Sequence, residues 1–134
     1  MRNANDTPER ASTPGTALIT GASRGLGLAL ARHYAGAGWR VIACIRADTL
    51  PPNEDRLEWR RVDVACPASI AELATGLAGI PLDVVINNAA IRGDTGGLAT
   101  LDPDDFLEVM RVNALAPLLV AQALLPNLRI GHGK

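Results

Sequence analysis

The run Thr20-Gly21-Ala22-Ser23-Arg24-Gly25-Leu26-Gly27 lies between a short apolar stretch, Ala17-Leu18-Ile19, and an apolar helical pattern that begins at Leu26. That context predicts a strand, a tight turn and a helix. Glycine lets the backbone turn sharply and approach a ligand closely. The start of the helix aims free N–H groups and the positive end of its dipole into the turn. A phosphate is the natural ligand of such a place. The glycines fall at 21, 25 and 27, so the pattern is G-x-x-x-G-x-G and differs from the G-x-G-x-x-G dinucleotide fingerprint. The Gly-Lys-Ser/Thr ending of the ATPase phosphate loop is absent from it. On spacing alone an ordinary glycine-rich βα turn stays open, because a single glycine motif is a weak signal.

The rest of the chain alternates. Thr16 to Thr20 is expected as a first strand, and Gly25 to about Ala37 as a helix with Leu26, Leu30 and Tyr34 on one face. Gly36 and Gly38 end that helix. Arg40 to Ile45 is apolar on both faces, as a buried parallel strand is. A loop with Pro51 and Pro52 leads to a third, alternating strand from Leu57 to Val62. Pro67 to Leu77 reads as a second helix, Leu82 to Asn87 as a fourth strand, and Gly93 to Thr100 as a glycine-rich loop. The last helix starts at Asp102, an N-cap followed by Pro103 and by Asp104 and Asp105 near the positive dipole end. It runs to about Leu125 with a bend at Pro117, and the tail from Pro126 to Lys134 is expected to be turn-like. Strands alternating with helices imply an α/β fold, a parallel sheet with helices on both faces.

Such a sheet needs a core, and 134 residues of which 48% are apolar suffice for one domain. With only 3% aromatic residues the core has to be aliphatic. Residues 1–14 are polar, hold Pro8 and Pro14 and lack a signal-peptide apolar core, so they read as a disordered leader before a domain over 15–134, with the cytoplasm as the expected address. No apolar stretch reaches the length of a membrane span by this reading. A net charge of −1 without a basic face argues against nucleic acid and acidic membranes as partners. Cys44 and Cys66 have no metal-ligand spacing, so no metal site is expected. Cys44 reads as a buried small hydrophobe. Cys66 precedes Pro67 at a helix start, where a thiol pKa can fall, although a structural role is the plainer reading.

Candidate chemistry gathers at the carboxyl ends of the expected strands, where parallel sheets bind ligands. Asp63 ends the third strand and could accept a hydrogen bond from an adenine amino group, or else cap the following helix. Asn87-Asn88-Ala89 end the fourth, where amides can tie strand ends together and touch a cofactor; an isolated Asn-Asn would otherwise read as a turn. Arg46 ends the second strand, where the adenosine ribose of a dinucleotide lands. An acid there binds the 2′-hydroxyl of NAD, whereas Arg suits the 2′-phosphate of NADP. With Arg24 in the glycine turn as a second cation, NADP is the expected cofactor ahead of NAD.

Together, Thr20-Gly-Ala-Ser-Arg-Gly-Leu-Gly27, Asp63-Val64, Asn87-Asn88-Ala89 and Val112-Asn113 stand in the order and spacing of the short-chain dehydrogenase/reductase family, which the chain resembles from about Thr16 onward. The segments His33 to Arg46 and Ala123 to Leu128 are most similar to the NADP-dependent carbonyl reductases that include the C-signal (C-factor) and sniffer proteins. The resemblance implies a Rossmann-type doubly wound sheet, of which strands one to four are present. It implies that Gly21, Ser23, Arg24, Gly25, Leu26 and Gly27 cradle the pyrophosphate and ribose, that Arg46 takes the 2′-phosphate, and that Asp63 and Val64 hold adenine. Asn88 and Ala89 would line the cofactor, and Asn113 would be the helix asparagine whose backbone carbonyl holds a water of the proton relay. A mid-helix polar residue that bends the helix is the alternative for Asn113.

Two departures stand out. Ala90 replaces the glycine usual after Asn-Asn-Ala, and the family's catalytic Ser and Tyr-x-x-x-Lys have no counterpart: Tyr34 is the only tyrosine, Lys134 the only lysine, and no serine follows Ser69. The chain is therefore expected to carry the cofactor half of an oxidoreductase, inactive by itself, with strand four as an exposed sheet edge. A non-catalytic nucleotide-binding or regulatory module is the alternative. A homo-oligomer through the 102–125 helix or that edge is a further expectation, and a methyltransferase-like nucleotide binder leaves Asn88 and Asn113 without explanation.

Overall fold

Two strands form the centre of the sheet because they are apolar on both faces. β1 (Thr16–Thr20) and β2 (Arg40–Ile45) pair in parallel, with Leu18 beside Ile42 and Ile19 beside Ala43, all four fully buried. β3 (Leu57–Arg61) adds to β2 and β4 (Val84–Ile86) to β1, giving the order β3-β2-β1-β4. The order reverses between β1 and β4, and such a switch point opens a crevice at the carboxyl ends of the strands. This computed structural model describes residues 14–132. Apart from Pro14, the expected leader lies outside the described residues, as does Lys134.

α1 (Gly25–Gly36) covers one face of the sheet over Ile19, Val41, Ala43, Leu57 and Trp59. α2 (Pro67–Gly76) covers the other, where Ile70, Leu73 and Leu77 pack with Leu18, Ile42, Val120 and Leu124. The core is aliphatic and lies in these two layers. The buried stripe of α1 is Gly27 and Ala31, with Leu30 and Tyr34 partly buried, whereas Leu26 is 68% exposed. Leu26 therefore leaves the stripe the sequence predicts, because close packing of Gly27 against the turn sets the rotation of the helix.

The C-terminal third departs most from expectation. The long helix is three pieces: α3 (Pro103–Met110), a π-helical turn (Arg111–Leu115) and α4 (Ala116–Ala123). Asp102 caps α3, its side chain accepting from the Asp104 N–H at 2.9 Å. The irregularity precedes Pro117: this residue has no N–H, so the helical bond that would end on the Asn113 carbonyl cannot form. After Leu124 the chain forms α5 (Leu125–Ile130) where a turn-like tail was expected. Pro126 suits a first helical turn, and Asn127 fastens α5 by donating its side-chain amide to the carbonyls of Leu77 and Ile80 at 2.6 and 2.9 Å. β4 is shorter than expected for a related reason: at its start the Leu82 N–H donates to the Asn127 carbonyl at 3.1 Å, outside the ladder.

The expectation about membrane-length segments is also corrected. The helical run Pro103–Ala123 has 21 residues and a mean hydropathy of 1.3, enough by length and composition to span a membrane, a test that core helices of soluble proteins also pass. Phe106, Leu107, Met110, Leu115 and Leu118 on it are exposed, and β4 is the sheet edge beside it.

Candidate cofactor site

Thr20, the last residue of β1, organises the crevice. Its buried hydroxyl accepts the N–H groups of Asn88 and Ala89, each at 3.1 Å. Asn88 returns its side-chain amide to the carbonyls of Thr20 and Gly21 at 3.2 and 3.1 Å. The ends of β1 and β4 are thereby tied, as the sequence suggested for this amide pair. Asn87 does not take part: it is exposed and does not line the crevice, since along a strand end neighbouring side chains point to opposite sides.

Between these strand ends lies a cavity of about 730 Å³. Its first wall is the glycine turn: Gly21, Ser23, Arg24 and Gly25. Gly21 has φ +67°, and a Cβ on it would come within 2.8 Å of the Ala89 backbone. Gly25 has φ +58°, yet beyond its chain neighbours and its own helix backbone no atom of the described residues lies within 4 Å of where its Cβ would be. One glycine thus permits close backbone approach within the protein, and the other leaves open room at the start of α1. Gly27 lies behind this wall, where a Cβ would meet Asn88 Nδ2 at 2.5 Å, so its role is packing and it does not face the cavity. Leu26 likewise lies outside the lining.

The second wall is Ile45, Arg46 and Ala47 at the end of β2. Among the described residues neither Arg24 nor Arg46 is in a salt bridge, while Arg61, opposite Ile45 in the sheet register, is paired with Asp48 at 3.0 Å. The third wall is Val62, Asp63, Val64 and Ala65 beyond β3. Asp63 does not cap α2. Its carboxylate accepts the Ala65 N–H at 3.0 Å, and its own N–H donates to Ser69 Oγ at 2.9 Å, which holds the carboxylate at the cavity wall. The last wall is Asn88 to Ile91 together with Glu108 and Val112.

Asn113 is next to this wall but outside the lining. Its side chain clamps the loop beyond β4 in both directions: Oδ1 accepts the Ile91 N–H at 2.9 Å and Nδ2 donates to the Ile91 carbonyl at 2.8 Å. It sits within the π-helical turn, so the helix irregularity and the clamp are features of the same residue. Its backbone carbonyl is the one from which Pro117 removes the i+4 donor of a regular α-helix.

Of the residues singled out from the sequence, the fold brings Gly21, Ser23, Arg24, Gly25, Arg46, Asp63, Val64, Asn88 and Ala89 to one cavity, and leaves Leu26, Gly27, Asn87 and Asn113 off its surface. Glu108 was missed. Its signal was present, one helical turn before Val112 and so on the same helix face. The Thr20 hydroxyl had no signal beyond its place at the end of a strand.

A parallel sheet in this order, with a glycine turn at its switch point, defines a Rossmann-like α/β unit. The chain belongs to the short chain dehydrogenase family, whose sequence pattern matches residues 15–134. It is 36% identical over 136 aligned residues to Protein FixR of Bradyrhizobium diazoefficiens, covering 90% of this chain and 48% of that one. Its fold is similar to that of a short-chain dehydrogenase/reductase from Burkholderia multivorans with bound NADP, at a TM-score of 0.75 and 33% identity over 86% of this chain and 54% of that one. It is similar also to an NADPH-bound carbonyl reductase from chicken fatty liver, at a TM-score of 0.73 and 31% identity over 85% of this chain and 51% of that one. The chain spans about half the length of the curated relatives it matches, with 48% of FixR as an example.

Proposed function

We propose that this chain holds NADP(H) in the cavity at the β1–β4 switch point, as the cofactor-binding part of an oxidoreductase that moves hydride between an alcohol and a carbonyl. The observation that carries the reading is one cavity lined both by the open glycine turn and by two arginines, Arg24 and Arg46, that form no salt bridge among the described residues. The residues fit the group: the room at Gly25 and the helix start suit a pyrophosphate, and Arg46 at the end of β2 suits a 2′-phosphate. Asp63 and Val64 would hold the adenine, and Asn88 and Ala89 the part near the second ribose. When bound, the nicotinamide supplies or accepts the hydride. The likeness of His33 to Arg46 and of Ala123 to Leu128 supports a place near the C-signal and sniffer carbonyl reductases. The place of Asn113 in the π-helical turn, four residues before Pro117 and so without an i+4 donor to its carbonyl, supports its reading as the anchor of a proton-relay water.

Thermal melts with NADP, NADPH, NAD and S-adenosylmethionine test this reading. A ligand at 100 times its Kd stabilises the fold by about 2.7 kcal/mol. The expected order is NADP(H) well above NAD, with no effect of S-adenosylmethionine. Equal shifts by NAD and NADP would remove the 2′-phosphate assignment.

A second reading, a nucleotide-binding or regulatory module without catalysis, is supported by the exposed apolar side chains of Leu107, Met110 and Leu118, a surface through which such a module could pair. Both readings predict that the 134-residue chain alone does not reduce a test ketone with NADPH. They separate on whether the chain, melting cooperatively by itself, alters the activity of a full-length relative when mixed with it. The exposed apolar side chains of Leu107, Met110, Leu115 and Leu118 support self-association through the 102–125 helix, which concentration-dependent sedimentation tests.

A further inference from the structure

The polar groups of the cavity are segregated by charge. Arg24 and Arg46 follow β1 and β2, while Asp63 and Glu108 belong to the walls beyond β3 and on α3. The two acidic walls adjoin. Val64 and Ala65 lead into α2, Val112 leads into α4, and α2 and α4 pack against each other under the same face of the sheet. Glu108 lies one helical turn before Val112, and both residues line the cavity. Glu108 thus lines the cavity from the helix that leads, through Val112, to the α4 packed beside α2, while the arginines line it from the ends of β1 and β2.

Glu108 has capacity to spare. Its partner is Arg111, three residues on, at 3.4 Å, with both side chains about half exposed, at 50% and 52%. A carboxylate offers about four acceptor positions, so this pairing leaves most of them open. Arg111 itself lines the apolar groove of Leu107 and Met110 and not the cofactor cavity. We infer that Glu108 is a second carboxylate of the base pocket, accepting the 6-amino group of adenine together with Asp63 and selecting an amino-bearing purine over a 6-oxo purine. The inference rests on the NADP(H) reading above and deepens it. A 6-oxo base would bring an acceptor oxygen against two carboxylates, whereas a 6-amino group donates to them.

Calorimetric titration of the 134-residue chain with NADP and with nicotinamide hypoxanthine dinucleotide phosphate tests it. The unaltered chain is expected to bind the adenine form about tenfold more tightly. Glu108→Gln and Glu108→Ala are each expected to reduce that ratio to about threefold or less, on the scale of one lost charge-assisted hydrogen bond. In Glu108→Gln the affinity for the hypoxanthine form should rise, because the amide can donate to the 6-oxo group. Glu108→Gln keeps the side-chain shape and carries the test if the alanine variant loses helix by circular dichroism. A ratio unchanged in both variants overturns the inference while NADP binding itself stands. Absence of heat with both dinucleotides overturns the cofactor reading and the inference with it.

Discussion

Gly27→Ala separates two roles that the glycine turn combines. The first turn of α1 is close to the Gly21 carbonyl and to Asn88, and an added methyl would stand 2.5 Å from Asn88 Nδ2 and 2.8 Å from the Gly21 carbonyl carbon. Because one of these neighbours is backbone, the turn itself has to move. Overpacking of this kind costs about 1–3 kcal/mol, and displacing Asn88 adds about 1 kcal/mol for each of its two bonds to Thr20 and Gly21. The better helix propensity of alanine returns about 1 kcal/mol. The net expected loss is about 3 kcal/mol, or roughly 10 °C in Tm for a chain of this size. Gly25→Ala is the contrast. Its Cβ meets no atom of the described residues within 4 Å beyond its chain neighbours and own helix backbone, so only the φ of +58° is penalised, at about 1 kcal/mol. That methyl would project into the room assigned to the pyrophosphate. Urea unfolding and NADP titration on both variants give the check. Gly27→Ala should lose stability first, while Gly25→Ala should stay near the parent in stability and lose most of its nucleotide affinity. Equal stability losses in the two variants, or a Gly27→Ala chain within about 0.5 kcal/mol of the parent, would refute the packing argument.

Other consequences are as direct. Arg46→Ala should weaken NADP about tenfold or more and leave NAD nearly unchanged, by calorimetry, since one charge-assisted contact to the 2′-phosphate is removed. Burial pushes the Cys44 thiol up to about 12, whereas Cys66 is exposed, so a disulfide reagent should titrate one thiol in the native chain and both in denaturant. The Asp83 carboxylate accepts the Thr16 N–H at 2.8 Å and the His132 N–H at 3.0 Å, and these bonds hold it below the usual carboxylate range. Its stabilisation is therefore present above the unfolded value of about 4 and is lost as pH falls through the lower folded value. Asp83→Asn should flatten that acid limb in urea-unfolding free energies measured from pH 6 down to pH 2. Asn113→Ala should free the loop at Ile91, seen as faster amide exchange there, with about 1–2 kcal/mol lost in urea unfolding.

Elements whose signals are local were legible in the sequence. β1 and β2 fall where continuous apolar runs place them, and α3 begins at its Asp102 cap followed by Pro103. Elements decided by partners far along the chain were not. The α5 helix depends on Asn127 reaching the carbonyls of Leu77 and Ile80, some fifty residues away in sequence, and no local pattern announces that. The rotation of α1 that exposes Leu26 follows from the contact of Gly27 with Gly21 and Asn88, which apolar periodicity does not encode.

The same division holds for the site. Residue types at motif spacing determined the strand, glycine turn and helix start on which the proposed phosphate site rests, because glycines at 21, 25 and 27 before a helix start act within a few residues of one another. Arg46 and Asp63 could be placed from the sequence too, since each follows a recognisable strand and parallel strands expose their carboxyl ends together. Tertiary structure alone decided which groups share the cavity. It turned Asn88 inward and Asn87 out, made the side chain of Asn113 a clamp on Ile91, and brought Glu108 to the wall. Those outcomes depend on the rotation of helices and the alternation of side chains at strand ends, which are set when the two faces of the sheet are packed.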